Sequence, residues 1–310
     1  MYFVEQVRKF LMNWVLAPYA IRVVCFLMSR VIRSRSKIFE YQKKSNRRLY
    51  VLANGPSLKK DLVVFEKDIS AADTIVVNFM GLTPEFFKVR PTCYVFADPV
   101  FFTDPLSLSE EMRKKVEALR LVLSEQIEWS MTIVTLGERS NTNFIETLKK
   151  NVHLKILSAF NGVPVPPEIK DFEGWALNRY SPPAQNVINF SLYLGIVWRY
   201  PEIVLLGADT SFHTMVHVEQ DTNRLYIDDA HFYGTERRYM YQDPEERIPN
   251  TMSNFLFHVR NAFLWYEKLR EFADWAGVRI INASSFSWID AFDRPKMVEG
   301  WCLDNKLNPK

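Results

Sequence analysis

The chain has 310 residues, 48% of them hydrophobic and 24% charged, so it can bury a large core and is too apolar to be disordered. Its three cysteines lie far apart, which excludes a disulfide framework and a cysteine metal motif and favours a reducing compartment. The net charge of +3 is unevenly distributed: residues 1–48 carry eleven Lys or Arg against two Glu, a net +9, and the remainder carries 3 − 9 = −6.

The basic N-terminal segment, residues 1–48, is also apolar. Twelve uncharged residues run from Phe10 to Ile21, fewer than the roughly 20 that span a bilayer. Basic residues flank this run on both sides and no small-residue cleavage site follows, so a cleaved signal peptide fits poorly. Trp14 and the arginines suit one helix, or two helices bent at Pro18, lying on an anionic membrane surface. The alternative is a helix packed on the protein's own core; the apolar content disfavours a nucleic-acid arm.

From residue 49 onward, short apolar runs alternate with helix-like segments. Strands separated by helices of this length are typical of βαβ units, so we predict a Rossmann-like α/β fold, a mostly parallel sheet with helices on both faces. This domain is expected over residues 49–295, followed by a C-terminal tail at 296–310. The predicted strands are Leu49–Ala53, Thr74–Asn78, Cys93–Ala97, Thr132–Leu136, Val152–Leu157, Glu202–Leu206 and Val278–Asn282, and the predicted helices lie near 106–127 and 140–150 and at Gln185–Tyr200 and Phe255–Ala276.

Residues 210–250 interrupt this pattern. They are rich in histidine, acidic and aromatic residues and show no clear periodicity. A long polar and aromatic segment inside a compact α/β domain is usually a lid or a binding loop. We therefore predict a lid insertion here, with a decoration that takes no part in binding as the alternative.

Small polar residues follow four of the predicted strands. Because the carboxyl ends of parallel strands lie along one edge of a sheet, these residues are expected to face a common crevice, where phosphorylated ligands bind. Asparagine side chains donate and accept, which suits ribose hydroxyls and base edges. Taken alone, each is equally explained by a turn or a helix cap. The residues are Asn54, Gly55, Pro56, Ser57, Asn78, Asp98 and Asp209.

These motifs resemble the bacterial sialyltransferases of glycosyltransferase family 42, over about residues 49–290. The resemblance rests on Ala-Asn-Gly-Pro-Ser-Leu at 53–58, on Asn78, on Asp98-Pro99-x-x-Phe102, and on the stretch from Leu194 to Asp209. It implies a Rossmann-like domain with a lid, a CMP-sialic acid donor, and metal-independent catalysis with a histidine base. It also implies roles for the matching residues: the 54–57 motif at the donor phosphate and sugar, Asn78 and Asp98 near the cytidine ribose, and Asp209 at the floor of the site.

The chain departs from the family at two places. Asp98-Pro99 stands where the family has Asn-Pro, and residues 183–186 replace an Arg-x-Thr-Ser-Gly-like stretch. The acid at Asp98 would meet the nucleotide differently, and the replaced stretch weakens the assignment of sialic acid itself as the transferred sugar. A wider group of polysaccharide-biosynthesis proteins and an archaeal pterin diphosphokinase family share the Gly-Pro-Ser-Leu and Leu-Gly-Ala-Asp motifs. An ATP-dependent, diphosphokinase-like transferase and a non-catalytic relative therefore stay open as alternatives.

Inverting sugar transfer needs a general base for the acceptor hydroxyl, and histidine has a suitable pKa. His231, with an acid and aromatics nearby in the predicted lid, is the first candidate. His258, at the start of the last long helix and near the position of the family's catalytic histidine, is the second. His153 fits a structural role on a strand. His213 and His217 lie four residues apart, but no third ligand follows at diagnostic spacing, so no metal site is predicted.

Together these patterns predict an inverting, sialyltransferase-like glycosyltransferase with no bound cofactor. It would move a CMP-linked sugar, sialic acid or Kdo-like, to a lipid-linked or surface polysaccharide acceptor such as lipopolysaccharide or capsule. The expected partners are a nucleotide sugar, a glycan or glycolipid acceptor and an anionic membrane surface, with no nucleic acid; a homo-oligomer is compatible with the pattern. The expected location is the cytoplasmic face of a bacterial inner membrane.

Overall fold

The computed structural model of the chain describes residues 37–43, 48–136, 143–159, 171–178, 186–231, 234–243 and 248–298. The membrane-surface helices predicted within residues 1–36 and most of the predicted tail lie outside these ranges. Among the described helices, none has both the length and the apolar character that crossing a bilayer requires.

Seven strands form a central sheet in which every neighbouring pair is parallel. They are β1 (Arg48–Leu52), β2 (Asp73–Val77), β3 (Cys93–Phe96), β4 (Met131–Leu136), β5 (Leu154–Ala159), β6 (Glu202–Leu206) and β12 (Arg279–Asn282). Their spatial order is β12-β6-β1-β2-β3-β4-β5. The predicted Rossmann-like parallel sheet is confirmed, and each predicted strand lies within two residues of the observed one.

The strands are apolar on both faces because helices cover both. On one face Val51, Ile75 and Val95 join one core cluster, and on the other Tyr50 and Val76 join a second. Alternate residues of a strand point to opposite faces, so such near-continuous apolar runs are what a doubly covered parallel sheet requires.

Eight described helices make up the two outer layers. They are α1 (Leu58–Val64), α2 (Glu66–Ser70), α3 (Pro84–Val89), α4 (Glu110–Glu125), α5 (Asn143–Leu148), α6 (Phe172–Ala176), α7 (Val187–Val197) and α8 (Met252–Ala276). Side chains of α1 to α5 belong to one core cluster, and those of α6 to α8 belong to the other. Helix α7 packs against β1, β2, β3 and α8 and is buried over nearly its whole length.

The insertion predicted as a lid contains regular structure. A short 3-10 helix at Phe212–Thr214 leads into an antiparallel sheet of β7 (Val216–Val218), β8 (Leu225–His231) and β9 (Gly234–Tyr239). A second antiparallel pair follows, β10 (Tyr241–Asp243) and β11 (Ile248–Pro249). The segment is therefore a small sheet inserted between β6 and α8; its opening and closing as a lid stays a prediction.

Residues 37–43 pack on the domain. The indole N–H of Trp198 donates to the carbonyl of Ile38 at 2.9 Å, and the Tyr41 ring stacks on Trp198 with 3.9 Å between ring centroids. The last part of the basic N-terminal segment is thus fixed to the core at the end of α7.

Candidate functional site

The site expected at the carboxyl edge of the sheet falls at a topological switch point. From β1 the chain moves to β2 on one side, whereas β6, the other neighbour of β1, leads outward to β12. In open α/β sheets ligands bind outside the carboxyl ends of the two strands at such a point. We call this cleft the switch-point crevice; its walls are residues 54–57 after β1 and 207–209 after β6.

The two walls touch through glycines. The Gly55 N–H donates to the Gly207 carbonyl at 2.8 Å, which extends the pairing of β1 and β6 beyond the strands. A Cβ at Gly55 would lie 2.2 Å from Asp209 Oδ1 and 2.6 Å from the Gly207 oxygen. Gly207 has φ +63°, a conformation that other residues rarely adopt. Both positions therefore need glycine for the walls to meet.

Asp209 and Ser57 form the centre of the crevice. The Ser57 hydroxyl donates to Asp209 Oδ1, and the Ser57 N–H donates to Oδ2 at 3.2 Å. Burial raises the pKa of the Asp209 carboxyl, and these hydrogen bonds from Ser57 oppose that rise. Ser57, which the motif resemblance assigns to the donor phosphate and sugar, thus directs both its hydroxyl and its N–H at the Asp209 carboxylate.

Asp61 on α1 connects three loops beneath the crevice, a role that was not predicted from the sequence. Its side chain is 1% exposed and accepts from the Gly207 N–H at 2.9 Å and from the Ser285 N–H at 3.0 Å. The Ser57 hydroxyl lies 3.4 Å from the same carboxylate. An acid on a short helix after the first strand ordinarily faces solvent, so only the tertiary fold shows that it supports the crevice.

Asn54 and Asn78 stand side by side at the ends of β1 and β2. The Asn54 amide donates to the Val77 carbonyl at 3.1 Å, and Asn78 has φ +49°. Within the described part of the chain, the side-chain oxygens of both asparagines are buried without a hydrogen-bond donor. Buried acceptors normally have a partner, so these two oxygens are where a water or a ligand N–H or O–H would donate.

Asp98 lies farther along the same edge. It is exposed, and its carboxylate accepts from the Val100 N–H at 3.0 Å, capping the 3-10 helix Pro99–Phe101. It follows β3, three strands from β6 in the sheet order, or about 14 Å at the usual strand spacing. Asp98 therefore lies at the same edge of the sheet as Asp209, but three strand spacings away from it.

The described contacts place neither predicted base against the crevice walls. His258 is exposed on α8, where its ring contacts Phe257. His231 ends β8 and pairs with Gly234 through the backbone, and the placement of its side chain lies outside what the structure describes.

His213, for which the sequence predicts no metal-binding role, lies close to the crevice. His213 follows Asp209 by four residues, and its ring lies 4.8 Å from the ring of Trp288 and 5.9 Å from that of Phe263. Its Nδ1 is buried and lacks a partner among the described residues. His217 lies on β7 instead, and the described residues hold no group of three His, Cys, Asp or Glu arranged to bind a metal.

A third loop reaches the crevice and was missed from the sequence. Residues 283–288, which we call the β12 loop, follow the outermost parallel strand, beside β6. The Trp288 N–H donates to the Asp209 carbonyl at 2.9 Å, and the Ser284 hydroxyl accepts from the Ala208 N–H at 3.0 Å. The sequence carries one signal for this loop. Ala-Ser-Ser-Phe-Ser-Trp directly follows a correctly predicted strand, and loops that follow parallel strands lie along one edge of the sheet.

Together, the fold and the strand order define a Rossmann-like α/β protein with a topological switch point between β6 and β1. No protein-family model matches the chain, and no curated protein matches it. Five solved chains match its structure. One is a Maf glycosyltransferase from Magnetospirillum magneticum AMB-1, with 11% sequence identity and a TM-score of 0.41 over 82% of this chain. The match covers 34% of that protein, so this chain spans about a third of its length.

Proposed function

We propose that the protein is a glycosyltransferase that binds a nucleotide-activated sugar in the switch-point crevice. The observation that carries the proposal is the direct contact between residues 54–57 and 207–209, two separate motifs that meet at the position where parallel α/β sheets bind ligands. The motif resemblance to family 42 sialyltransferases supports glycosyl transfer and a CMP-linked donor, with sialic acid or a Kdo-like sugar as its transferred group.

The polar groups along the edge suit a nucleoside. The unpartnered oxygens of Asn54 and Asn78 would accept hydrogen bonds from ribose hydroxyls or from the cytosine amino group. Asp98, exposed at the end of β3, would lie toward the ribose. Gly55, Pro56, Ser57 and Asp209 would form the floor beneath the phosphate and the sugar.

The proposed reaction inverts the anomeric carbon in one displacement. A base takes the proton of the acceptor hydroxyl, the hydroxyl oxygen forms a bond to the anomeric carbon, and the bond from that carbon to the phosphate oxygen breaks. The electron pair of the broken bond leaves with CMP. His231 is the first candidate for the base and His258 the second, and no metal or bound cofactor takes part in this scheme.

The proposed acceptor is a lipid-linked or surface polysaccharide at the cytoplasmic face of a bacterial membrane. The charge of +9 on residues 1–48 supports this location, because anionic lipids attract basic, apolar segments.

A thermal-shift panel tests the donor assignment. CMP should raise the melting temperature in EDTA, because a ligand that binds only the folded state stabilises it, while UDP and GDP should have little effect. A response to ATP alone, and only with magnesium, would instead favour the diphosphokinase-like alternative and overturn the proposal. A response to none of the nucleotides would favour the non-catalytic alternative.

A further inference from the structure

Two large aromatic rings are exposed beside the crevice. Phe286 and Trp288, which we call the aromatic pair, are 51% and 48% exposed, and their ring centroids lie 6.3 Å apart at an interplanar angle of 86°. Rings of this size usually bury most of their area, so neighbouring exposed rings at a ligand site indicate a contact surface.

The β12 loop holds this pair rigidly. The Ser287 hydroxyl donates to the Ala208 carbonyl at 2.5 Å, and the Ser285 N–H donates to Asp61 at 3.0 Å. The Arg294 guanidinium donates to the carbonyls of Ser284 and Ser287, both at 3.0 Å. The rings are therefore preorganised, and a ligand that stacks on them need not order the loop first.

The aromatic pair is continuous with the crevice. The Ser57 hydroxyl lies 3.4 Å from the Phe286 carbonyl, and the Trp288 N–H donates a hydrogen bond to the Asp209 carbonyl. His213 packs edge-on against Trp288, so its unpartnered Nδ1 belongs to the same wall. A ring seated on the pair would thus lie next to the reacting centre of the proposed transfer.

The local charges select the kind of ring. Among the described residues, the ionisable groups around the β12 loop include the carboxylates of Asp61 and Asp209, the guanidinium of Arg294 and the imidazole of His213. The guanidinium donates to loop carbonyls and both carboxylates accept from loop N–H groups, so these charges are engaged within the loops and the exposed surface is that of two uncharged rings. A neutral pyranose suits it, because hydroxyls donate to carboxylates and carbonyls while the C–H face packs on an aromatic ring.

We propose that the aromatic pair binds an uncharged pyranose ring of the acceptor, with Trp288 as the stacking surface and Phe286 as its edge. This inference rests on the proposed glycosyl transfer and adds the chemical class of the acceptor's terminal sugar. The nucleotide would occupy the other half of the edge, at Asn54 and Asn78, and the two ligands would meet above Asp209.

Saturation-transfer difference NMR on the full chain tests the inference, with the methyl glycosides of glucose, galactose and N-acetylglucosamine as probes. At least one glycoside should receive saturation at the protons of one ring face. Trp288→Ala should weaken that signal about tenfold, whereas Trp288→Phe should keep most of it, because a ring remains available for stacking. Trp275→Ala is the matched control: this tryptophan is 53% exposed at the end of α8, away from the crevice.

Three results would overturn the inference: no glycoside signal with the wild-type protein, an undiminished signal with Trp288→Ala, or equal losses with Trp275→Ala. A cytidine signal that depends on Trp288 would also overturn it, since the pair would then hold the base. CMP binding to the same variants is measured separately and should not change. If the wild-type protein does not bind CMP but still gives the glycoside signal, the donor assignment is refuted and the pyranose subsite is retained.

Discussion

At the scale of single residues, Gly55 is the position where the crevice has least space. Gly55→Ala should lower the free energy of unfolding by about 1–3 kcal/mol and abolish CMP binding, because the added methyl would force the 54–57 and 207–209 walls apart. Urea denaturation and the CMP thermal shift measure the two effects.

Gly277→Ala provides the control for this substitution. Gly277 has φ +69° with no atom within 4 Å of an added Cβ, so alanine there strains the backbone without disturbing the crevice. It should destabilise the fold to a similar extent and leave CMP binding intact. Equal CMP binding by Gly55→Ala and the wild type would show that the glycine contact does not shape the site.

Asp209 should give the protein a specific pH dependence. Burial raises its pKa above the ordinary 3.8, so between 3.8 and the raised value the folded state binds more protons than the unfolded state. The contribution of this group to stability is therefore largest below pH 3.8 and falls as the pH rises through the folded pKa. Asp209→Asn, which cannot ionise, should remove that decline. Urea denaturation of both proteins from pH 3.5 to 7 checks this, and parallel curves would contradict it.

At the scale of elements, a buried polar cluster stabilises the amino edge of the sheet, opposite the crevice. The Tyr200 hydroxyl donates to Asp73 at 2.5 Å, and the Asp73 side chain is fully buried at the start of β2. Tyr200→Phe should cost about 1–3 kcal/mol of unfolding free energy, because the carboxylate loses this donor.

The same variant should bind CMP like the wild type, since Tyr200 lies at the other edge of the sheet. Tyr239→Phe is the matched control, because its hydroxyl bonds to Glu219 at the surface and its loss should cost less than about 0.5 kcal/mol. If the two variants lose equal stability, the buried cluster does not contribute as we infer. If Tyr200→Phe weakens CMP binding, the ligand does not bind only at the carboxyl edge.

The seven central strands could be predicted because each is a short, nearly continuous apolar run between polar turns. Strands β7 to β9 could not, because Tyr226 and Asp228 alternate with the buried Leu225 and Ile227, so the segment lacks the continuous apolar run that marks the central strands. The residues of the two main loops, including Gly55 and Asp209, followed from the rule that parallel strands end at one edge. The same rule extends to the loop with Trp288, which follows the last predicted strand, whereas Asp61 could not be found in this way, since its role depends on contacts between distant loops.

At the scale of the whole molecule, the basic N-terminal segment includes residues that pack on the core. Residues 37–43 pack on the core through Ile38 and Tyr41, so a chain lacking residues 1–36 should fold normally. It should lose the proposed binding to vesicles that contain anionic phospholipid, and the binding of the full chain should weaken with added salt. Vesicle co-sedimentation of the two proteins measures this. Equal sedimentation of the truncated and full chains would contradict the membrane-surface assignment.

The central claim is that the switch-point crevice binds the nucleotide of a CMP-linked sugar, and calorimetric titration of CMP tests it most directly. In EDTA, CMP should bind the wild-type protein at one site per chain. Asn54→Ala should weaken binding about tenfold, because it removes a buried side-chain oxygen that has no donor among the described residues. Val152→Ala, at a 92% exposed position, serves as the control and should bind CMP normally. Absence of CMP binding to the wild type, or unchanged affinity in Asn54→Ala, would contradict the claim.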